Sequence, residues 1–366
     1  MAANASSRMA DQETVADGLP APADLRRAEP QRGMALLTWD PACRRSVSMA
    51  RELGVPLQTI HYLWYRRPWV APLKYALQTV ATLRWLHSNR PGLVVVQSPP
   101  PFAAWVVWLY CRLSSASFVI DAHTGLFLEP KWRAFLPLSR LLMRSAALTL
   151  VTNEALRVRV QAWGANAFVL PDPLPDLVQS DDRFPLDPTH FNVAAVFSFY
   201  EDEPVEEVLS VRHLPPDMRV YVTGDSTRVP ERLRRRLSPQ VTLTGFLPRA
   251  RFDSLILSCD AVVVLCTRPH TLLCGAYESV AAGKPLLTSH SDAMRAYFRG
   301  GTLFTDNSTL GIESGLADLY QRRAALEAEM RDARRRLRAG WRRTCVQFLI
   351  ELERLGISSD DLPRLV

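Results

Sequence analysis

Residues 269–289 read Pro-His-Thr-Leu-Leu-Cys-Gly-Ala-Tyr-Glu-Ser-Val-Ala-Ala-Gly-Lys-Pro-Leu-Leu-Thr-Ser, and their order decides the fold. A loop leads into a short helix near Gly275, Gly283 and Pro285 end that helix, and residues 286–289 have the composition of a buried strand. Leu273, Cys274 and Gly275 put backbone N–H groups at the helix N-terminus, where a partial charge of about half a unit favours phosphate. Glu278 follows one turn in, where a carboxylate can accept hydrogen bonds from two neighbouring ribose hydroxyls. The stretch therefore predicts an α/β protein with a pocket for a nucleotide sugar. An ordinary capped helix would carry the same loop and glycines, so the surrounding chain must separate the two readings.

Outward from there, short apolar runs alternate with helical segments, the pattern of parallel strands joined by crossover helices. Strands are expected at residues 34–38, 57–62, 93–97, 118–121 and 148–152, with helices over 46–53, 69–88 and 102–113 and a helical stretch at 139–145. A Pro-Asp-Pro-Leu-Pro run at 171–175 and the polar residues up to Pro188 read as a linker. A second series follows, with strands at 191–197, 219–223, 241–243 and 261–266, and helices near 205–211, 230–237 and 249–258. The last helices are expected at 312–338 and 341–355. Two doubly wound Rossmann-like domains result, 33–175 and 191–340, with a terminal helix at 341–366 that crosses back to the first domain. Ligands of such sheets bind at the carboxyl ends of the strands. The opening segment, 1–32, is rich in Ala, Asp, Pro and Arg without apolar periodicity and reads as disordered.

The succession of Val-Thr-Leu-Thr-Gly-Phe-Leu-Pro at 241–248, Cys-Asp-Ala-Val-Val-Val-Leu-Cys at 259–266 and the 269–289 stretch resembles the C-terminal half of GT-B glycosyltransferases, especially glycosyltransferase family 4. The resemblance covers most of residues 190–310 and implies two Rossmann-like domains facing across a cleft. It further implies a donor site of Glu278, Leu273, Cys274 and Gly275, with Gly245 and Phe246 meeting the nucleobase and Gly224 in a further cleft loop. Family 4 enzymes carry two glutamates with seven residues between them, the first toward the donor sugar. His270 stands at that first position here. The Arg and Lys with which many retaining members neutralise the diphosphate are also absent, which turns attention to Arg268 and the helix N-terminus. In place of that basic pair, Ser-Phe-Tyr-Glu-Asp-Glu-Pro at 198–204 resembles an acidic segment of the chitobiosyldiphosphodolichol beta-mannosyltransferase family, and physically it could equally cap a helix from Val205.

The same mannosyltransferases carry an Asp, spacer, His segment like Asp121-Ala122-His123. Asp121 and His123 are the expected catalytic groups. Either could be the base of an inverting reaction, whereas a retaining enzyme would use the His to hold the donor sugar. An Asp capping a turn beside a His bonded to the main chain is the plain alternative.

Composition is that of a globular protein: 366 residues, 48% hydrophobic, 22% charged, net charge +7. No apolar run reaches the ~18 residues of a membrane span, and no secretory signal is evident. Part of the positive excess lies in 322–343, which holds nine arginines; a solvated helix face explains it, as does attraction to an anionic membrane or a diphosphate. Nucleic acid is not expected as a partner, since no binding motif accompanies the arginines. Six cysteines without zinc spacing are expected as reduced, buried thiols of a cytoplasmic protein, and the sequons at Asn4 and Asn307 as chance matches. Aromatics and cations at 62–69, with Lys74 and Tyr75 and the apolar 102–113 segment, suit peripheral contact with the inner membrane face and a lipid-linked acceptor.

The expected activity is therefore transfer of a sugar from a nucleotide diphosphate sugar to a hydroxyl of a glycan or lipid-linked acceptor, in polysaccharide or cell-envelope synthesis. No cofactor and no metal are required, because a helix terminus and cations can stabilise the diphosphate. A nucleotide-sugar epimerase of the same fold and a catalytically silent scaffold are the alternatives.

Overall fold

The computed structural model describes residues 33–41, 43–62 and 68–364. The segment 1–32 with its sequon at Asn4, and residues 63–67 of the aromatic and cationic stretch, lie outside the described residues. The described chain forms two compact units, one from Asp176–Arg336 and one from the chain up to Pro175 together with the residues from Leu337 onward.

In the N-terminal unit, six parallel strands run Met34–Thr38 (β1), Leu57–Thr59 (β2), Leu93–Ser98 (β3), Ser117–Ala122 (β4), Leu148–Val151 (β5) and Ala167–Val169 (β6). Their order is β2-β1-β3-β4-β5-β6. Sheets covered on both faces need apolar side chains in both directions, and the strands comply. Leu37, Val94, Val96 and Ile120 enter one core, while Leu36, Leu93, Val95 and Val119 enter the other. That second core is completed by Trp341, Cys345, Phe348 and Leu352 from the end of the chain.

The C-terminal unit has Phe191–Ala195 (β7), Met218–Thr223 (β8), Val241–Gly245 (β9), Ala261–Val264 (β10), Leu286–Ser289 (β11) and Thr302–Thr305 (β12). They are parallel in the order β12-β11-β10-β7-β8-β9. After β9 the chain returns to the opposite side of β7, so the topological switch lies between β7 and β10, where open sheets bind ligands. Residues 176–190 have no regular structure but are fastened down: the Val178 amide donates to Asp253 Oδ2 (3.1 Å), and the Phe184 amide to Ser254 Oγ (2.8 Å).

Several sequence expectations need correction. The final helices divide at Arg322 rather than near Gly340, giving Thr309–Gln321 and one continuous helix Arg323–Arg354. A helix-interior glycine costs only about 1 kcal/mol. Buried Leu326, Met330 and Ala333 before Gly340, and Trp341, Cys345, Phe348 and Leu352 after it, keep helical spacing and outweigh that cost. The second strand is three residues, not six, and the short strands β6 and β12 carry no long apolar run to announce them. Among the cysteines, Cys111 is half-buried and Cys274, the first residue of its helix, is exposed; none of the six is in a disulfide.

Phe348 is completely buried in the second core of the N-terminal unit. Phe348→Ala should therefore cost about 3–5 kcal/mol in urea unfolding. A loss below about 1 kcal/mol would show that the terminal helix is not part of that core.

Candidate functional site

In the C-terminal unit, the sequence-predicted donor residues gather on the loops that leave the carboxyl ends of β7 to β10. The helix Cys274–Ala282 begins there, with Leu273 as its N-cap, and ends at Gly283 in the left-handed conformation (φ 73°), as the sequence predicts. Gly275 permits this placement. A Cβ at that position would lie 2.9 Å from Val264 Cγ2 and 3.3 Å from Val196 Cγ1, so any side chain would force Val264 or the helix start to shift. Gly224 (φ 110°) makes a similar close approach, where a Cβ would come within 2.4 Å of the Phe197 carbonyl oxygen. Its amide donates to the Gly245 carbonyl at 3.2 Å, which joins the loops after β8 and β9. Phe246 beyond Gly245 is 64% exposed, an uncovered aromatic face at the edge of the sheet.

The loop after β10 is fixed by a small polar lattice. The Cys266 amide donates to Ser289 Oγ (2.8 Å), Ser289 Oγ donates to Asn307 Oδ1 (2.7 Å), and Asn307 Nδ2 returns to the Cys266 carbonyl (3.3 Å). The sequence marks Ser289 only as the end of a strand and Asn307 only as part of a sequon, and neither signal announces this lattice. Asp202 secures the other flank: it pairs with Arg268 Nε at 3.1 Å, accepts from the Cys266 thiol at 3.3 Å, and its carbonyl accepts the Thr267 amide at 2.7 Å. Arg268 thus already has a counter-charge.

The acidic loop does not cap the following helix. Val205–Leu209 has Pro204 as N-cap and no side-chain cap bond. Glu203 turns back instead to accept the Ser198 amide (2.9 Å) and the Tyr200 amide (3.1 Å). Burial nevertheless pushes the Glu203 carboxyl above its ordinary range, against the pull of those amides. A loop whose amides need acceptors more than the helix does explains the difference.

His270 is exposed and left-handed (φ 56°). Glu278 retains only 4% of its surface and is engaged within the folded chain, so it is not a carboxylate standing open in solvent.

In the N-terminal unit, Asp121 and His123 follow the end of β4 and are brought together: His123 Nε2 lies 3.1 Å from Asp121 Oδ2. The sequence did not reveal their third partner. Arg45 donates through Nε to both Asp121 oxygens at 2.9 Å and through Nη1 to Asp172 at 2.6 Å, with its own side chain 4% exposed. One signal was present. Arg45 lies in the first turn of the helix Arg44–Leu53, where the macrodipole disfavours a cation unless an acid waits nearby.

Burial alone would raise the Asp121 carboxyl, but Arg45 and His123 overcome it and hold the group well below the usual carboxylate range. For His123, burial works against the imidazolium, while Cys43 and Asp121 outweigh it and raise the ring well above its ordinary value. His123 keeps 26% of its side chain exposed and Asp121 only 2%. The histidine is the member that can meet a ligand, and the aspartate is the one that orients it.

Arg45→Met would remove the guanidinium from buried Asp121 and half-buried Asp172, at a cost of about 3–5 kcal/mol at neutral pH. A depressed folded-state pKa stabilises above the unfolded value of about 3.9 and is lost as pH falls toward the folded one. The deficit of the variant, measured by chemical denaturation, should therefore shrink below about pH 4. An equal deficit at pH 3 and pH 7 would exclude the ion pair as its cause.

No protein-family model matches the chain, and no curated protein sequence matches it. Solved structures do. Anabaena HepE in complex with UDP and glucose superposes with a TM-score of 0.64 at 13% identity, over 87% of this chain and 99% of HepE. A glycosyltransferase from Rickettsia africae gives 0.61 at 12% identity, over 90% of this chain and all of its own. A Listeria monocytogenes protein described as a UDP-N-acetylglucosamine 2-epimerase gives 0.59 at 10%, over 91% and 99%. Identities this low speak for the fold. The chain has the GT-B architecture of glycosyltransferases, built from two Rossmann-like units with six-stranded parallel sheets.

Proposed function

We propose that the chain is a glycosyltransferase that moves a sugar from a nucleotide diphosphate sugar to an acceptor hydroxyl. The observation that carries this reading is the close approach of Gly275 to Val264 and Val196, which sets a helix N-terminus over the switch point between β7 and β10. In this reading the amides of Leu273, Cys274 and Gly275 receive the diphosphate, with Arg268 as a nearby cation. Glu278 accepts from the ribose, Phe246 covers the base beside Gly245 and Gly224, and His270 meets the donor sugar in place of the family glutamate. Anabaena HepE, solved with UDP-glucose on the same fold, supports a uridine nucleotide as the first donor to try.

His123 acts on the reacting sugar and Asp121 positions it. Cys43 and Asp121 raise the His123 ring above its ordinary range, which favours holding the donor sugar over abstracting the acceptor proton. That leans toward a retaining, family 4-like reaction rather than the inverting chemistry of the beta-mannosyltransferases. The reaction proceeds without a metal when the helix terminus and cations carry the diphosphate charge. The acceptor is a lipid-linked or polysaccharide-precursor glycan, and the protein works in the cytoplasm.

The epimerase reading keeps one observation in its favour, the likeness to the Listeria protein. Radiolabelled nucleotide sugar separates the two. Transfer of label to a glycan or lipid acceptor is expected, whereas a new epimer formed without acceptor would replace the proposal.

Binding should first appear as a raised melting temperature with UDP, GDP or ADP compounds, by mass action on the folded state. Silence across that panel would remove the donor pocket. Glu278→Gln should weaken donor binding at least about tenfold by calorimetry, in proportion to a lost charged hydrogen bond of roughly 1.5–3 kcal/mol. His123→Ala should lower turnover about 10²-fold or more while leaving affinity for the nucleoside diphosphate alone within about threefold. Unchanged turnover in that variant would remove His123 from the chemistry.

A further inference from the structure

Along its first three turns the helix Ala71–Asn89 in the N-terminal unit buries polar side chains and exposes apolar ones, while further along Leu86 is fully buried and Leu83 and Trp85 pack partly against the core. Its buried positions include Lys74, Gln78 and Thr82, three polar side chains. Gln78 Nε2 donates to the Ile60 carbonyl at 2.8 Å, and Thr82 Oγ1 accepts from Trp39 Nε1 at 2.9 Å. Its outward face carries Leu73, Leu77 and Val80, continued by Trp69 from the preceding turn Pro68–Val70, with exposures between 42% and 74%. These four recur at steps of four, four and three residues, so they form one stripe about 16 Å long. Pro72 and Ala76 fill the same exposed face, and Arg84 is the first charged side chain along it. A helix of a protein surrounded only by water orients its apolar stripe inward.

Charge supplies a second observation. Residues 53–153 hold ten Lys and Arg against two carboxylates, Asp121 and Glu129. Both carboxylates are already committed, Asp121 to Arg45 and Glu129 to Lys131 at 2.7 Å. Exposed Arg84 and Arg90 stand on and just beyond the later turns of the same helix and Arg112 ends the neighbouring helix Pro101–Arg112, where Trp105 and Leu113 are further exposed apolar side chains; Asp40 is the carboxylate whose charge reaches Lys74.

We propose that the outward face of the helix Ala71–Asn89 docks on an anionic lipid bilayer, with Trp69, Leu73, Leu77 and Val80 entering the interface and the surrounding arginines meeting lipid phosphates. A second copy of the chain is the weaker occupant, because pairing like faces would bring two cationic regions together. An apolar stripe flanked by cations matches an anionic interface in both its chemistries. The docking stands apart from the transferase reading, since it requires neither donor nor turnover.

The test is co-sedimentation of the full-length chain with vesicles of phosphatidylcholine alone and of phosphatidylcholine with about one third phosphatidylglycerol. Binding should be at least about tenfold stronger to the anionic vesicles and should fall steeply in about 0.5 M salt. Leu73→Ser combined with Leu77→Ser should reduce that binding at least about tenfold with the melting temperature preserved, because both side chains are exposed. Should that variant melt early, Arg84→Gln with Arg112→Gln provides the second reading and should weaken binding to anionic vesicles only. Equal affinity for both vesicles, no affinity for either, or full binding by both variants would overturn the proposal. A wild-type dimer in analytical ultracentrifugation that the leucine variant dissolves would assign the stripe to a second copy instead. Donor binding measured on the same samples separates this outcome from failure of the transferase reading.

Discussion

One steric constraint organises the C-terminal unit: Val264 and Val196 leave no room for a side chain at position 275. With hydrogen alone at that Cα, the helix Cys274–Ala282 starts directly over the ends of β10 and β7. Its first turn then begins where the sheet changes direction. Gly224 does the same for the loop after β8 by pressing against the Phe197 carbonyl. Glycines at these two places let backbone approach backbone, and a phosphate-sized ligand is recognised largely by backbone.

Electrostatics then divides the charged residues into those that build and those that face outward. Arg45 is almost wholly withdrawn from water and survives there because Asp121 and Asp172 surround it. Such a cluster is costly to assemble and costlier to break, since Arg45 and Asp121 would each otherwise be a buried charge without its counter-charge. Its product is the fixed orientation of His123, whose ring keeps some exposure. Asp202 has the equivalent place in the other unit, tying Arg268 and the Cys266 loop to the loop after β7. In both places a residue that sequence reasoning would assign to ligand is partly spent on the protein itself.

Much of the architecture was legible because strands buried on both faces need uninterrupted apolar runs, and β1, β3 and β10 have them. Boundaries failed where such runs were short or the deciding force was remote. β6 and β12 have only three and four residues, and Gly340 stops no helix because its neighbours are held by packing. At the candidate site, the loop and turn residues were visible through their glycines. Arg45, Ser289 and Asn307 were not, since each acts on a group far away along the chain.

The sequence by itself determined the alternation of strand and helix, the turn at Gly283 and the polar loop before Gly275, all consequences of local backbone preference and hydrophobic pattern. Only the tertiary structure decided that Asp121 is bound by Arg45, that Glu278 is buried, and that the helix Ala71–Asn89 shows Leu73 and Leu77 to the outside. Burial and pairing depend on which distant residues arrive at the same place. A helical period records that one face differs from the other, but not which of them the rest of the fold will cover.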